Sequence, residues 1–321
     1  MKDLQYYINC FTHLHRAHNN GGAPHKPILL LSIIDCIEYG YIADEKIYIS
    51  SELVAYFRNN WSVWVKSDHI MNFALPFYHM SSEPFWKLKI KTGYDIPLTK
   101  SRSIKSFLAL QTAVEYAIMD KDLFYLLMQV NERSCLRQTI IDRYFPDIQN
   151  RENIAYPHYL NEIAHNILND PPAVYRKRIQ SLKASLNEEN YEEDIFLRSA
   201  VFKKQIPKIY QNKCCITGLK ITSFYNISMI DACHIIPFSE THDDTVGNGI
   251  ALCPNLHRAF DRGLITINED YKVIISRNFR EESPCSHSIM QFDNKPIILP
   301  QNPKYYPKIE NLSWHNQNVF R

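Results

Sequence analysis

The residues best suited to chemistry lie in one stretch, Asp231-Ala-Cys-His-Ile-Ile-Pro237 followed by Gly247-Asn-Gly-Ile-Ala-Leu-Cys-Pro-Asn-Leu-His257-Arg-Ala-Phe-Asp261. His234 closes a β-like run, Asn248 sits in a glycine-flanked turn, and His257 precedes Asp261 by one helical turn. An i, i+4 pair shares one helix face, so His257 and Asp261 can serve a single ion. Together the set supplies a base for water, a clamp for the base and ligands for a divalent metal, which is the equipment of metal-assisted phosphodiester hydrolysis. Nitrogen with carboxylate oxygen suits Mg2+, Mn2+, Ni2+ or Zn2+ without choosing among them. Cys233 offers a softer third ligand, and Asp231, on the same strand face, offers an alternative; the choice stays open. Taken singly, each residue has a plainer explanation: His234 as a bonded core histidine, Asn248 as a turn former, His257 as a helix-surface residue. The ordered context favours a site.

Such a site needs a strand, a loop, a second strand and a helix, in that order. Ile227 to Ile236 reads as the first strand, and Pro237 ends it. The polar loop Ser239 to Gly247 leads to Gly249-Ile-Ala-Leu252, and Pro254 opens the helix. Upstream, a helix is expected to about His18, then a break at Asn19 to Pro24. A largely apolar central helix follows from His25-Lys26-Pro27 through Ile37, stopped by Gly40. Lys46 to Ser50 reads as a strand, with Ser50 or Ser51 capping a helix from Glu52 to Trp61. Aromatics cluster from Phe73 to Trp86, and further helices are expected between Ser103 and Tyr144.

The texture changes after this. Pro171-Pro172 and the acids Glu188, Glu189, Glu192, Glu193 and Asp194 suggest a partly helical connector with an exposed arm from Tyr175 to Leu186. The domain expectation is therefore 1–149, a linker over 150–197, and 198–321. Near the end, Trp314 is expected to pack on the second domain's core, and His315 to pack rather than touch phosphate.

At 321 residues the chain can bury two cores. Net charge is +2, distributed as +1 over 1–150, −3 over 151–197 and +4 over 198–321, so the overall balance announces no polyanion partner. The local run Lys87-Leu-Lys-Ile-Lys91, with Lys100, Arg102 and Lys105 beyond it, does. Period-two spacing puts Lys87, Lys89 and Lys91 on one strand face, which either guards a sheet edge or tracks phosphates. No apolar run is long enough to span a bilayer, and Met1 is not followed by a signal-peptide core, so no membrane partner is expected. The eight cysteines lack paired spacing, which predicts reduced thiols in a cytoplasm. Adjacent Cys214 and Cys215, with Cys233, Cys253 and Cys285, fit a structural four-cysteine zinc site badly; buried thiols fit better.

His234, Asn248 and His257 resemble the HNH signature of the ββα-metal endonucleases. The resemblance implies that His234 deprotonates the attacking water, that Asn248 braces the loop and so orients the imidazole, and that His257 with Asp261 holds the metal at the scissile phosphate. Many HNH enzymes place Asp or His immediately before the base, where this chain has Cys233.

In the first domain, Ala23-Pro-His-Lys-Pro-Ile-Leu-Leu-Leu31, Pro76-Phe-Tyr-His-Met80 with Phe85-Trp86, and Tyr144-Phe-Pro146 resemble the sulfur-binding domain of phosphorothioate-dependent restriction endonucleases. The implied contacts are Tyr144, Phe145 and Pro146 as an apolar cup, Tyr78 and His79 on a neighbouring loop, and His25 and Lys26 at the first motif. Arginine is usual near the His79 position, so histidine there weakens phosphate pairing at neutral pH.

The expected fold class is α+β, a mainly helical DNA-reading domain joined to a C-terminal ββα-metal nuclease domain. The expected function is cleavage of phosphorothioated duplex DNA in bacterial defence. One HNH site cuts one strand, so a duplex cut is compatible with a homodimer. Two alternatives stand beside this one: an endonuclease reading another modification or plain sequence, and a non-cleaving DNA-binding module.

Overall fold

The computed structural model describes residues 2–17, 22–100, 103–104, 106–146, 158–221, 228–278, 280–281 and 288–321. Arg102, Lys105, Cys285 and the expected boundary near 150 lie outside the described residues. The chain divides into two compact units, 1–160 with 186–197, and 161–185 with 198–321. It is an α+β protein, and among the described residues no helix is long and apolar enough to cross a membrane.

Unit 1 contains α1 (Leu4–Thr12), α2 (His25–Glu38), β1 (Lys46–Ile47), α3 (Ser51–Trp64), α4 (Ala74–His79), β2 (Trp86–Ile90), α5 (Phe107–Ala113), β3 (Val114–Met119), α6 (Lys121–Met128) and α7 (Val130–Tyr144). α2 is buried along almost its whole length, as its all-round apolar pattern requires. Its buried acid, Asp35, accepts from Asn60 and from Arg137; burial pushes its carboxyl up to about 6. Gly40, at φ +74°, ends the helix in the left-handed region. Ser50 caps α3 by accepting from the Leu53 amide, so the strand before it is cut to two residues.

The three strands form an antiparallel sheet in the order β1-β3-β2. Alternation sends Ile47, Trp86, Ala117 and Met119 into the core, all fully or almost fully buried. The opposite face carries Lys46, Lys87, Lys89 and Tyr116, with Lys89 paired across to Tyr116 and Lys46 lying 5.3 Å over its ring.

The segment expected as a partly helical connector holds α8 (His158–Asn169), α9 (Pro172–Ser185) and the start of α10 (Glu188–Ile209). Tyr175 and Ile179, spaced i, i+4, are buried, so α9 is no free arm. The acids are not all solvated either. Glu193 accepts from the Phe73 amide at 2.9 Å and is pushed up to about 7 by burial, and Asp194 accepts from the Tyr159 hydroxyl.

Unit 2 continues with β4 (Asp231–His234), α11 (Phe238–Thr241), β5 (Gly249–Leu252), α12 (Pro254–Asp261), β6 (Ile265–Ile267), β7 (Val273–Ile275) and α13 (Ile309–Asn318). β4 and β5 pair antiparallel with His234 opposite Gly249. A Cβ at Gly249 would lie 2.5 Å from Ile206, so the glycine lets α10 press against the hairpin. α13 turns His315 inward, as expected, and leaves Trp314 half-buried. His315 stacks on Phe260 and bonds Thr266 and the Phe260 carbonyl, so it packs and does not face phosphate.

Candidate active site and a cavity in unit 1

Two side-chain clusters meet at the Cys233–His234 peptide. Successive strand residues face opposite ways, and their partners follow: Cys233 Sγ contacts Asp261 on α12, while the His234 ring lies against Phe202 on α10. Sequence reasoning pictured one constellation around two imidazoles; in the structure Cys233 joins the α12 cluster of His257 and Asp261, and His234 turns to the other side of the strand.

On the α12 side, one ligand atom each from Cys233, His257 and Asp261 lies within 4.8 Å of the others. His257 Nε2 is 3.4 Å from Asp261, and its Nδ1 is 3.2 Å from Asp231. Asp231 is thus outside the three-atom set and bonds the far side of the imidazole, the position from which a carboxylate fixes a ligand's tautomer. The donor set of sulfur, nitrogen and oxygen fits a divalent ion of borderline softness. Cys233 is fully buried, and burial, then the Asp261 charge, pushes its thiol well up. A hard ion would rest on His257 and Asp261 with water completing its shell.

On the α10 side, His234 Nε2 is 2.8 Å from Asp244 Oδ1, and the ring stacks on Phe202 at 4.0 Å with planes 5° apart. Asp244 is buried, and its second oxygen accepts from the Tyr175 hydroxyl at 3.2 Å. Asn248, fully buried, does not touch the imidazole. It accepts from the Ile236 amide and donates to the carbonyls of Ile236 and Asp243, each at 2.9 Å, tying the Asp243–Asp244 loop to the end of β4. Sequence reasoning missed Asp244; its one available signal was an acid in the loop between His234 and Asn248.

In unit 1 a cavity of about 460 Å3 gathers His25, Lys26 and His79 with Arg16, Leu75 and Pro76. Lys26 is not a free cation there. It is buried in an ion pair with Glu83 at 2.5 Å and donates to Ser82, so it supports the cavity wall. His79 bonds Ser103 and His25 bonds the Ile70 carbonyl; burial lowers the pKa of both, with the Lys26 charge adding to the effect at His79. Arg16, which no motif had flagged, lines this cavity and a neighbouring one of about 360 Å3 that includes Arg143 and Tyr144. Its guanidinium lies 4.3 Å over the Tyr144 ring and donates to the Gly22 and Ala23 carbonyls.

Other expected contacts are placed differently. Phe145 is buried against Trp64, a core position rather than a surface cup, because the helix end turns it inward. Pro146 is exposed, and Tyr78 is half-buried edge-on to His79 without lining the larger cavity. Lys87 and Lys89 share the outer sheet face as expected. Lys91 lies past the end of β2 and donates to the Gln111 carbonyl, so it leaves that row.

Residues 214–268 match the HNH endonuclease family, and this segment is an HNH endonuclease domain. No curated protein matches the sequence. Among solved structures, the chain is similar to the modification-dependent TagI restriction endonuclease, at 22% identity over 37% of this chain with a TM-score of 0.28. It spans only 38% of TagI's length. It is also similar to the sulfur-binding domain of ScoMcrA complexed with phosphorothioated DNA, at 18% identity over 46% of this chain and 91% of that one, TM-score 0.37. A third likeness is to the Type IV phosphorothioation-dependent restriction endonuclease ScoMcrA, at 11% identity over 79% of this chain and 94% of that one, TM-score 0.35.

Proposed function

We propose that this chain is a modification-dependent DNA endonuclease whose first unit binds phosphorothioated duplex DNA and whose second unit hydrolyses a nearby phosphodiester. The observation that carries the cleavage reading is the buried Asp244 facing His234 Nε2 at 2.8 Å. A carboxylate only accepts, so the neutral ring carries its proton on Nε2 and presents Nδ1 as the base. A phosphodiester lying across the end of β4 meets this base from one face and the Cys233, His257 and Asp261 donors from the other. A divalent ion bound there would supply charge neutralisation at the phosphate; His257 and Asp261 would hold it, and Asp231 would keep the His257 ring turned towards it.

For the mark, sulfur in place of a non-bridging oxygen is larger and less hydrated, so an apolar wall accepts it at little desolvation cost. The cavity beside Leu75 and Pro76 has that wall, and Arg16 supplies the fixed charge that His79 lacks. Lys87 and Lys89, with Lys46, contact the phosphate backbone nearby on the same unit.

The test is cleavage of matched plasmids with and without one phosphorothioate in Mn2+. Preferential cutting of the sulfur-marked plasmid is expected, abolished by Arg16→Ala through binding and by His234→Ala without loss of binding. Equal cutting of both plasmids would remove the sulfur claim, and full activity of His234→Ala would remove the assigned base.

A further inference from the structure

We propose that the catalytic histidine is set from outside the HNH motif: Tyr175 on α9 is a positioning residue that holds Asp244 against His234. This rests on the nuclease reading above. Tyr175 lies well before the segment that matches the family, 69 residues from Asp244, yet in the same compact unit.

Asp244 is 2% exposed, and a buried carboxylate needs a donor on each oxygen. Among the described residues it has two: the His234 ring nitrogen on Oδ1 and the Tyr175 hydroxyl on Oδ2. Tyr175 is itself fully buried, and the Arg198 guanidinium lies 5.7 Å from its ring centre. Burial, then the negative charge of Asp244, holds the phenol above its ordinary range, so it stays a donor. The carboxylate plane is therefore held at both oxygens, and Asp244 cannot swing out of it without losing both bonds.

Phe202, also from outside the matched segment, blocks tilting of the imidazole by lying parallel to it. With ring plane and bonded nitrogen both fixed, Nδ1 has one direction left. A purely packing role for Tyr175 would need the ring and not the hydroxyl, and Tyr175→Phe separates the two.

The full chain carrying Tyr175→Phe is assayed for plasmid nicking and, separately, by long-range 1H–15N correlation spectra of histidine-labelled protein at a pH where imidazole is neutral. Wild type is expected to show a single Nε2–H tautomer for His234, assigned by its loss in His234→Ala. The variant is expected to show a tautomer mixture and a kcat lower by about ten- to a hundredfold, the effect of one lost bond to a charged group, with KM for DNA little changed. An unaltered tautomer in the variant overturns the proposal whatever the rate does, and so does a mixed tautomer in wild type. The spectra need no cleavage, so a wild type that fails to cut would refute the nuclease reading and still leave this test to run.

Discussion

Asn248 tests how far the site depends on a clamp that touches no reacting group. Its amide makes three bonds of 2.9 Å inside a fully buried pocket, one accepted from the Ile236 amide and two donated to the carbonyls of Ile236 and Asp243. At roughly 1 kcal/mol net per bond, Asn248→Ala should cost about 3 kcal/mol. In a unit of this size that lowers the melting temperature by about 6–12 °C. Asn248→Asp is the sharper variant, because it keeps shape and volume. It retains the acceptor for Ile236 but turns an oxygen on two carbonyl oxygens, so it should fare no better than alanine. Both variants release the loop that presents Asp244, and plasmid nicking should fall with stability. Calorimetry and nicking assays on the three proteins give the comparison. An aspartate variant that melts within about 2 °C of wild type and cuts at its rate would show that the donor hydrogens do not hold the loop.

Three further outcomes follow from the geometry. Asp261→Ala should raise the Mn2+ concentration for half-maximal nicking at least about tenfold, and Asp231→Asn should do so by about tenfold through the His257 ring alone; unchanged Mn2+ dependence in Asp231→Asn would sink the orienting role. His315, 1% exposed, is pushed down to about 4 by burial. The unfolded chain takes up this proton below about pH 6.5 while the folded one does not, so stability is complete above that value. It falls as pH drops towards 4, by at most about 1.4 kcal/mol per pH unit, and the loss levels off below. Urea midpoints across this range should decline less steeply in His315→Gln; identical slopes would assign the acid lability to other groups.

Much of the local structure was written in the chain. The all-apolar run after Pro27 dictated a buried helix, Ser50 dictated a cap, and Pro254 with His257 and Asp261 dictated a short helix with one polar face. These features depend on neighbours within a turn or two, where period and capping act directly. The acidic stretch misled because charge suggests solvent, while Glu193 and Asp194 had tertiary donors that no local pattern announces.

What sequence alone determined was the set of groups able to do the chemistry: His234, Asn248, His257 and Asp261, with Cys233 beside them. Their spacing fixed which two share a helix face and which lies at a strand end. Tertiary structure alone decided how each is held. It gave His234 its carboxylate and Asp244 its tyrosine, gave Asn248 the backbone groups by which it ties loop to strand, neutralised Lys26 with Glu83, and brought Arg16 into the cavity with His79. The physical reason is that hydrogen bonds and ion pairs form between whatever groups folding buries together, and burial leaves each polar atom needing a partner from any distance along the chain.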